Sequence, residues 1–229
     1  MKKKKIGMCA FCGKDKEVTN DHVPPRNIFP RPQPNELDLV TVPGCNSCNH
    51  RSSKDDEEFK LYISLKSGME APTALKLHNS TKRTIQKNRK IRSLVIDNST
   101  PLYFPNGAGS DFSRQIEYKF DPEPVRRVGR KIVKGLYYKH YGKCLEGNAD
   151  ISLYLSEDFK INQMLTIEDL AKDTGKYGVH QEIGKNKELH YIYAQTELEY
   201  GTSWVFVFYG VSAMVGLTIP ARFRDNVST

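Results

Sequence analysis

Cys9 to Phe59 reads CAFCGKDKEVTNDHVPPRNIFPRPQPNELDLVTVPGCNSCNHRSSKDDEEF, and the reading of the chain turns on its four cysteines. They form two Cys-x-x-Cys pairs, Cys9/Cys12 and Cys45/Cys48, with 32 residues between them. Two cysteines at this spacing can both reach one tetrahedral Zn²⁺, and the second pair completes four soft ligands. A closed four-thiolate site leaves no position for water, so the zinc it predicts is structural. The loop it encloses carries Asp21-His22, and Asn49 and His50 follow directly on the second pair. Cys144 stands apart and is expected to be a small buried residue.

Outward from this stretch, the 229 residues suffice for one or two domains with a real core. The formal net charge of +8 suits a polyanionic partner, although charge alone speaks to solubility and non-specific attraction. No apolar run follows the basic residues 1–5, so no secretory signal is expected, and no stretch is apolar enough to cross a membrane. A reducing, cytoplasmic setting favours metal binding by the cysteines over disulfides.

Residues 1–8 read as a frayed basic tail. Pro24, Pro25, Pro30, Pro32 and Pro34 forbid a helix, and Leu37 to Val42 suits a short strand. Ser53 with Asp56 resembles a capping box, so a helix is expected from there to Gly68. Lys60 to Arg92 holds nine Lys/Arg against Glu70 alone, and Ser80 to Ser93 predicts an exposed basic helix, either a solvated face or a contact to phosphates. Pro101 to Gly109 reads as a loop, and Ile116, Tyr118 and Phe120 as a half-buried strand. Val125, Val128, Ile132, Val133, Leu136 and Tyr137 form the apolar stripe of a strong amphipathic helix with Arg126, Arg127, Arg130, Lys131, Lys134 and Lys139 mostly off it. Strands are expected at 151–155, 189–196, 203–209 and 212–219, a short helix at 166–172, and a hairpin turn at Tyr209-Gly210-Val211. One substantial helix followed by grouped strands points to an α+β fold with an antiparallel sheet.

The order Cys9-x-x-Cys12, Asp21-His22-x-Pro24, Val42-Pro43-x-Cys45-x-x-Cys48-Asn49, then Lys54, resembles the HNH endonuclease family over roughly residues 7–65. The resemblance implies a zinc-stabilised ββα-metal domain at 1–67, leaving a basic helical linker at 68–99 and an α+β domain of unassigned role at 100–229. It implies His22 as the general base that activates water. Asp21 and Asn49 would bind one catalytic Mg²⁺ or Mn²⁺, separate from the zinc. Hard oxygen ligands suit such ions, and a histidine near its ordinary pKa can take a proton at neutral pH. The implied activity is hydrolysis of phosphodiester bonds, with double-stranded DNA as the partner.

The chain departs from the family pattern at the central asparagine. The Pro43-Gly44-Cys45 register puts Val40 or Thr41 there, while Asn35 and Asp38 lie in a shifted register. Either a backbone carbonyl of the Val40–Thr41 strand or Asp38 would orient His22. His50 could join the metal site, contact phosphate or face solvent, and Arg26 could hold a phosphate or be a plain surface arginine. Residues 100–229 could select DNA, bind a partner or mediate a homodimer. A second reading, a non-catalytic zinc-stabilised nucleic-acid-binding protein, accounts equally well for the charge and the cysteines. A zinc-supported protein-interaction domain is a third.

Overall fold

The computed structural model describes residues 5–30, 39–50, 53–68, 71–106, 111–145, 149–158, 174, 176–184 and 188–220. The fold is mixed helix and sheet, and every strand pairing is antiparallel. β1 (Lys5–Met8), β2 (Asp15–His22) and β3 (Thr41–Cys45) form a three-stranded sheet in that order. Two of these elements correct the sequence expectations. Lys5–Met8 is a strand on β2 and not a frayed tail. The strand expected at Leu37–Val42 runs later, through Pro43 to Cys45, because β3 lies at a sheet edge where a missing N–H is tolerated.

Two helices follow the second cysteine pair, α1 (Asn46–His50) and α2 (Ser53–Lys66). Asp55 and Asp56 sit in the first turn of α2, where they complement the helix dipole, and Gly68 (φ +66°) lies just past its end. The single basic helix expected over 80–93 is two, α3 (Pro72–Lys87) and α4 (Arg89–Asp97). Asn88 separates them, its Oδ1 accepting from the N–H groups of Lys90 (3.0 Å) and Ile91 (3.3 Å).

The loop expected at 101–109 is instead a strand over its first part. β4 (Ser99–Asn106) pairs with β5 (Asp111–Tyr118) in an isolated two-stranded ribbon. Both strands of a ribbon are edges, so Pro101 and Pro105 are accommodated without costing a ladder bond on two sides. Ile116 is 64% exposed on this ribbon, not half-buried.

α5 (Pro122–Tyr141) is the element around which the rest packs. Asp121 caps it by accepting from Glu123 N–H at 3.0 Å, prolines occupy its first turn, and Gly142 (φ +67°) closes it. One side lies on a five-stranded sheet of β6 (Asp150–Leu155), β7 (Val179–Ile183), β8 (Leu189–Gln195), β9 (Thr202–Phe208) and β10 (Ser212–Ile219), ordered β6-β10-β9-β8-β7. β7 had no signal in the sequence, since four of its five residues are exposed and carry no alternation. The helix expected at 166–172 lies outside the described residues. Gly129 meets β6 and β10 so closely that a Cβ there would sit 2.4 Å from Leu153 and 2.7 Å from Met214 Sδ.

A second side of α5 meets the cysteine-bearing segment. A Cβ on Gly135 would lie 2.6 Å from Val23. α2 joins the assembly through Phe59, packed edge-on against Phe208 of β9 with ring centres 5.5 Å apart. One buried cluster therefore runs from Cys9 and Val23 through Phe59 and Val133 to Trp204 and Met214. Fully buried side chains such as Leu136 and Phe206 each contribute about 1.5–3 kcal/mol. Among the described residues, no helix is long and apolar enough to cross a membrane.

Candidate metal centre and the basic cavity beside it

The four cysteines converge. Cys9 and Cys12 lie on the turn between β1 and β2, Cys45 ends β3, and Cys48 lies in α1. Their sulfur atoms all fall within 4.8 Å of one another. That is the arrangement four thiolates need to hold a structural metal such as zinc. The turn is shaped for it by the Gly13 N–H donating to the Cys9 carbonyl at 2.8 Å, with Gly13 at φ +67°. Cys45 N–H donates to Cys9 Sγ at 3.3 Å, and Ser47 Oγ lies 3.2 Å from Cys45 Sγ. Burial pushes the thiols of Cys9 and Cys48 up. Burial acts in the same sense on Cys45, but hydrogen bonds from Ser47 and the neighbouring cysteines hold it down to about 6. One thiolate is thus ready near neutral pH, and a divalent ion would draw off the remaining protons as it binds. Cys144 is half-buried and sits behind the cluster, its Sγ donating to the Cys9 carbonyl at 3.3 Å.

Asp21 and His22 lie together at the end of β2, paired across to Val42 and Thr41 of β3. Strand alternation sends them to opposite faces of the sheet. Asp21 shares its face with Val42 and Gly44, where a Cβ on Gly44 would meet Phe11 at 3.0 Å and Asp21 at 3.1 Å. There its Oδ2 is 2.8 Å from Lys131 Nζ of α5, with both side chains only 12% exposed. Lys131 also lies over the Phe11 ring, 5.2 Å from its centre.

His22 shares the other face with exposed Thr41. Burial lowers its pKa, the Arg26 charge lowers it further, and Asp21 opposes both. The imidazole is accordingly neutral at pH 7. Its Nδ1 is buried and makes no hydrogen bond to any described residue. Of the two carbonyls expected to orient it, that of Val40 accepts from Val23 N–H at 2.9 Å. Asn35 and Asp38, the other candidates, lie outside the described residues, as does the side chain of His50. Asn49 is half-buried in α1, one residue past Cys48, and Arg26 is exposed on a 3-10 turn (Arg26–Ile28) close enough to act on His22.

Beside the cysteine cluster opens a cavity of about 810 Å³. Lys14, Lys16, Arg127, Arg130, Lys131 and Lys134 line it, with Asp55 the one acid among the described lining residues. Arg127 grips Asp55 through two parallel hydrogen bonds of 2.8 and 2.9 Å. No local pattern singles out Lys131, since it is one of many cations on an amphipathic helix and its partner lies far upstream. Only the packing of α5 on β2 brings the two together.

No family model matches the chain, and neither a curated protein nor a solved structure matches it.

Proposed function

We propose that the chain is a metal-dependent endonuclease of the HNH type that hydrolyses phosphodiester bonds in double-stranded DNA. One arrangement carries this reading. The antiparallel pair β2–β3 leads into α1, as a ββα unit requires, and the cysteine cluster clamps the three together. Asp21 and His22 sit at the strand end and Asn49 on the helix, beside the second cysteine pair. A zinc at the cluster would fix a unit too small to hold itself together by apolar burial.

In this reading Asp21 and Asn49 would hold one Mg²⁺ or Mn²⁺. The Asp21 carboxylate is a hard oxygen donor of the kind such ions take, and the Lys131 ammonium at 2.8 Å is the cation that the metal would displace. When bound, the ion would supply charge neutralisation at the scissile phosphate and the leaving oxygen. The neutral His22 would take the proton of the attacking water. With Nδ1 buried, Nε2 is the nitrogen that would receive it, and an Nδ1–H would have no acceptor among the described residues to fix the ring.

That same pair of facts favours a second reading. Asp21 is already neutralised by Lys131 and His22 Nδ1 makes no hydrogen bond to any described residue, as would suit a zinc-stabilised module that binds nucleic acid without cutting it. Plasmid cleavage separates the two. With Mg²⁺ or Mn²⁺ added, wild-type protein should nick or linearise the plasmid, and His22→Ala should not, while keeping its zinc content. Equal cutting by both proteins would sink the assignment of His22, and cutting by neither would favour the binding module.

A further inference from the structure

We infer that the cavity between the cysteine cluster and α5 is the track on which the backbone of a nucleic acid lies. The inference rests on the nucleic-acid part of the reading above and is independent of cleavage. It also extends the contact surface to α5, outside the residues 7–65 that carry the nuclease resemblance. Four of the six lining cations belong to α5.

Arg127, Arg130, Lys131 and Lys134 recur at three- and four-residue steps, so they share one helix face. From Arg127 to Lys134 the helix rises about 10 Å, the span of roughly three phosphates along one strand. A solvated helical face would explain these four alone. It does not explain why Lys14 and Lys16, from the turn after Cys12 and the start of β2, line the same space. Gathering like charges around one concavity costs free energy unless something neutralises them.

The protein neutralises only part of the set. Asp55 is occupied by Arg127, Asp21 by Lys131, and Arg130 lies 3.6 Å from Glu123. Lys14, Lys16 and Lys134 have no acidic partner among the described residues. Three unneutralised ammonium groups on two separate elements, facing a cavity far larger than a single phosphate, fit a polyanion with regularly spaced charges. Phe11 is the one large apolar side chain among the described lining residues, and Lys131 lies over its ring, so charged heads rather than an apolar anchor pocket mark this surface.

The test is fluorescence anisotropy with a short labelled DNA duplex and the full chain. The variant is Lys14→Glu/Lys16→Glu/Lys134→Glu, checked for unchanged zinc content and circular dichroism. Its control is Lys87→Glu/Arg89→Glu, in the other basic region of the chain. Wild type should bind with a steep salt dependence. The triple variant should bind at least about tenfold more weakly, with its log K against log salt slope reduced by about 2–3, and the control should match wild type. The inference is overturned if the triple variant binds as wild type does, or if the control loses as much. Wild type that binds poly-glutamate and not the duplex would overturn it in favour of an acidic protein partner. Wild type that binds neither would remove the nucleic-acid reading with it. Duplex binding that is lost in the triple variant, with no cleavage by wild type, would sustain the track and remove the nuclease.

Discussion

Lys131 of α5 lies 2.8 Å from Asp21 of β2, and only 12% of either side chain is exposed. The contact joins the residue proposed to bind a catalytic cation to a helix that belongs equally to the C-terminal sheet. It also sets a competition, because the same carboxylate cannot serve an ammonium and a divalent ion at full strength.

Replacing Lys131 with Met exposes that competition. The variant leaves Asp21 without its counter-charge and should lose about 2 kcal/mol of stability, below the ~3–5 kcal/mol of a fully buried pair because both groups keep some contact with water. Adding Mn²⁺ should then raise its melting temperature more than it raises that of wild type. Equal Mn²⁺ shifts in thermal unfolding would show that Asp21 does not receive the ion.

Metal at the cysteine cluster should be stoichiometric and structural. Purified protein should carry about one zinc per chain. Chelation, or Cys45→Ser, should remove it and abolish the cooperative unfolding transition, because Cys9 and Cys45 are part of the same buried cluster as Trp204. Elemental analysis beside calorimetry decides this, and a zinc-free chain with an unchanged transition would refute it.

His22 and His140 give the stability a common pH dependence. Burial lowers the pKa of both, helped by the Arg26 charge at His22 and the Lys139 charge at His140. The unfolded chain therefore takes up protons before the native state does. Stability should be fully present above the ordinary value of 6.5 and should fall as pH drops below it, levelling off below the native pKa values. His140→Gln should flatten part of that slope in urea unfolding between pH 7 and pH 5. The loss of the 2.9 Å contact between His140 Nε2 and the Tyr191 hydroxyl should lower stability at every pH without adding to the slope.

Gly135→Ala tests the close approach of α5 to Val23, the residue just past β2. Alanine would ordinarily stabilise a helix interior by up to about 1 kcal/mol. Here its Cβ would lie 2.6 Å from Val23 Cγ2, and Val23 is 1% exposed with no room to retreat. The expected outcome is a net loss of about 1–3 kcal/mol. A denaturation midpoint at or above wild type would mean that the two elements can separate without cost.

The sequence by itself determined the elements whose reasons are local. The two Cys-x-x-Cys pairs had the spacing of one four-ligand site, and their sulfurs do fall together. The 3.6-residue stripe from Val125 to Tyr137 foretold α5, and alternation foretold β8, β9 and β10. Asp21, His22 and Asn49 were singled out as residue types at a spacing, which says nothing of their surroundings. Tertiary structure decided those surroundings. Lys131 reaches Asp21 because α5 packs against β2, and Tyr209 donates a 2.7 Å hydrogen bond to the carbonyl of Ile28 because the β9–β10 turn packs against the segment that follows β2. Pro101 and Pro105 entered a strand because a two-stranded ribbon leaves each strand an open edge, a fact of pairing and not of composition. Local spacing sets which elements form and which ligands can share a metal. The partners of a charged side chain are set by which distant surfaces become buried together, and no period in the sequence encodes that.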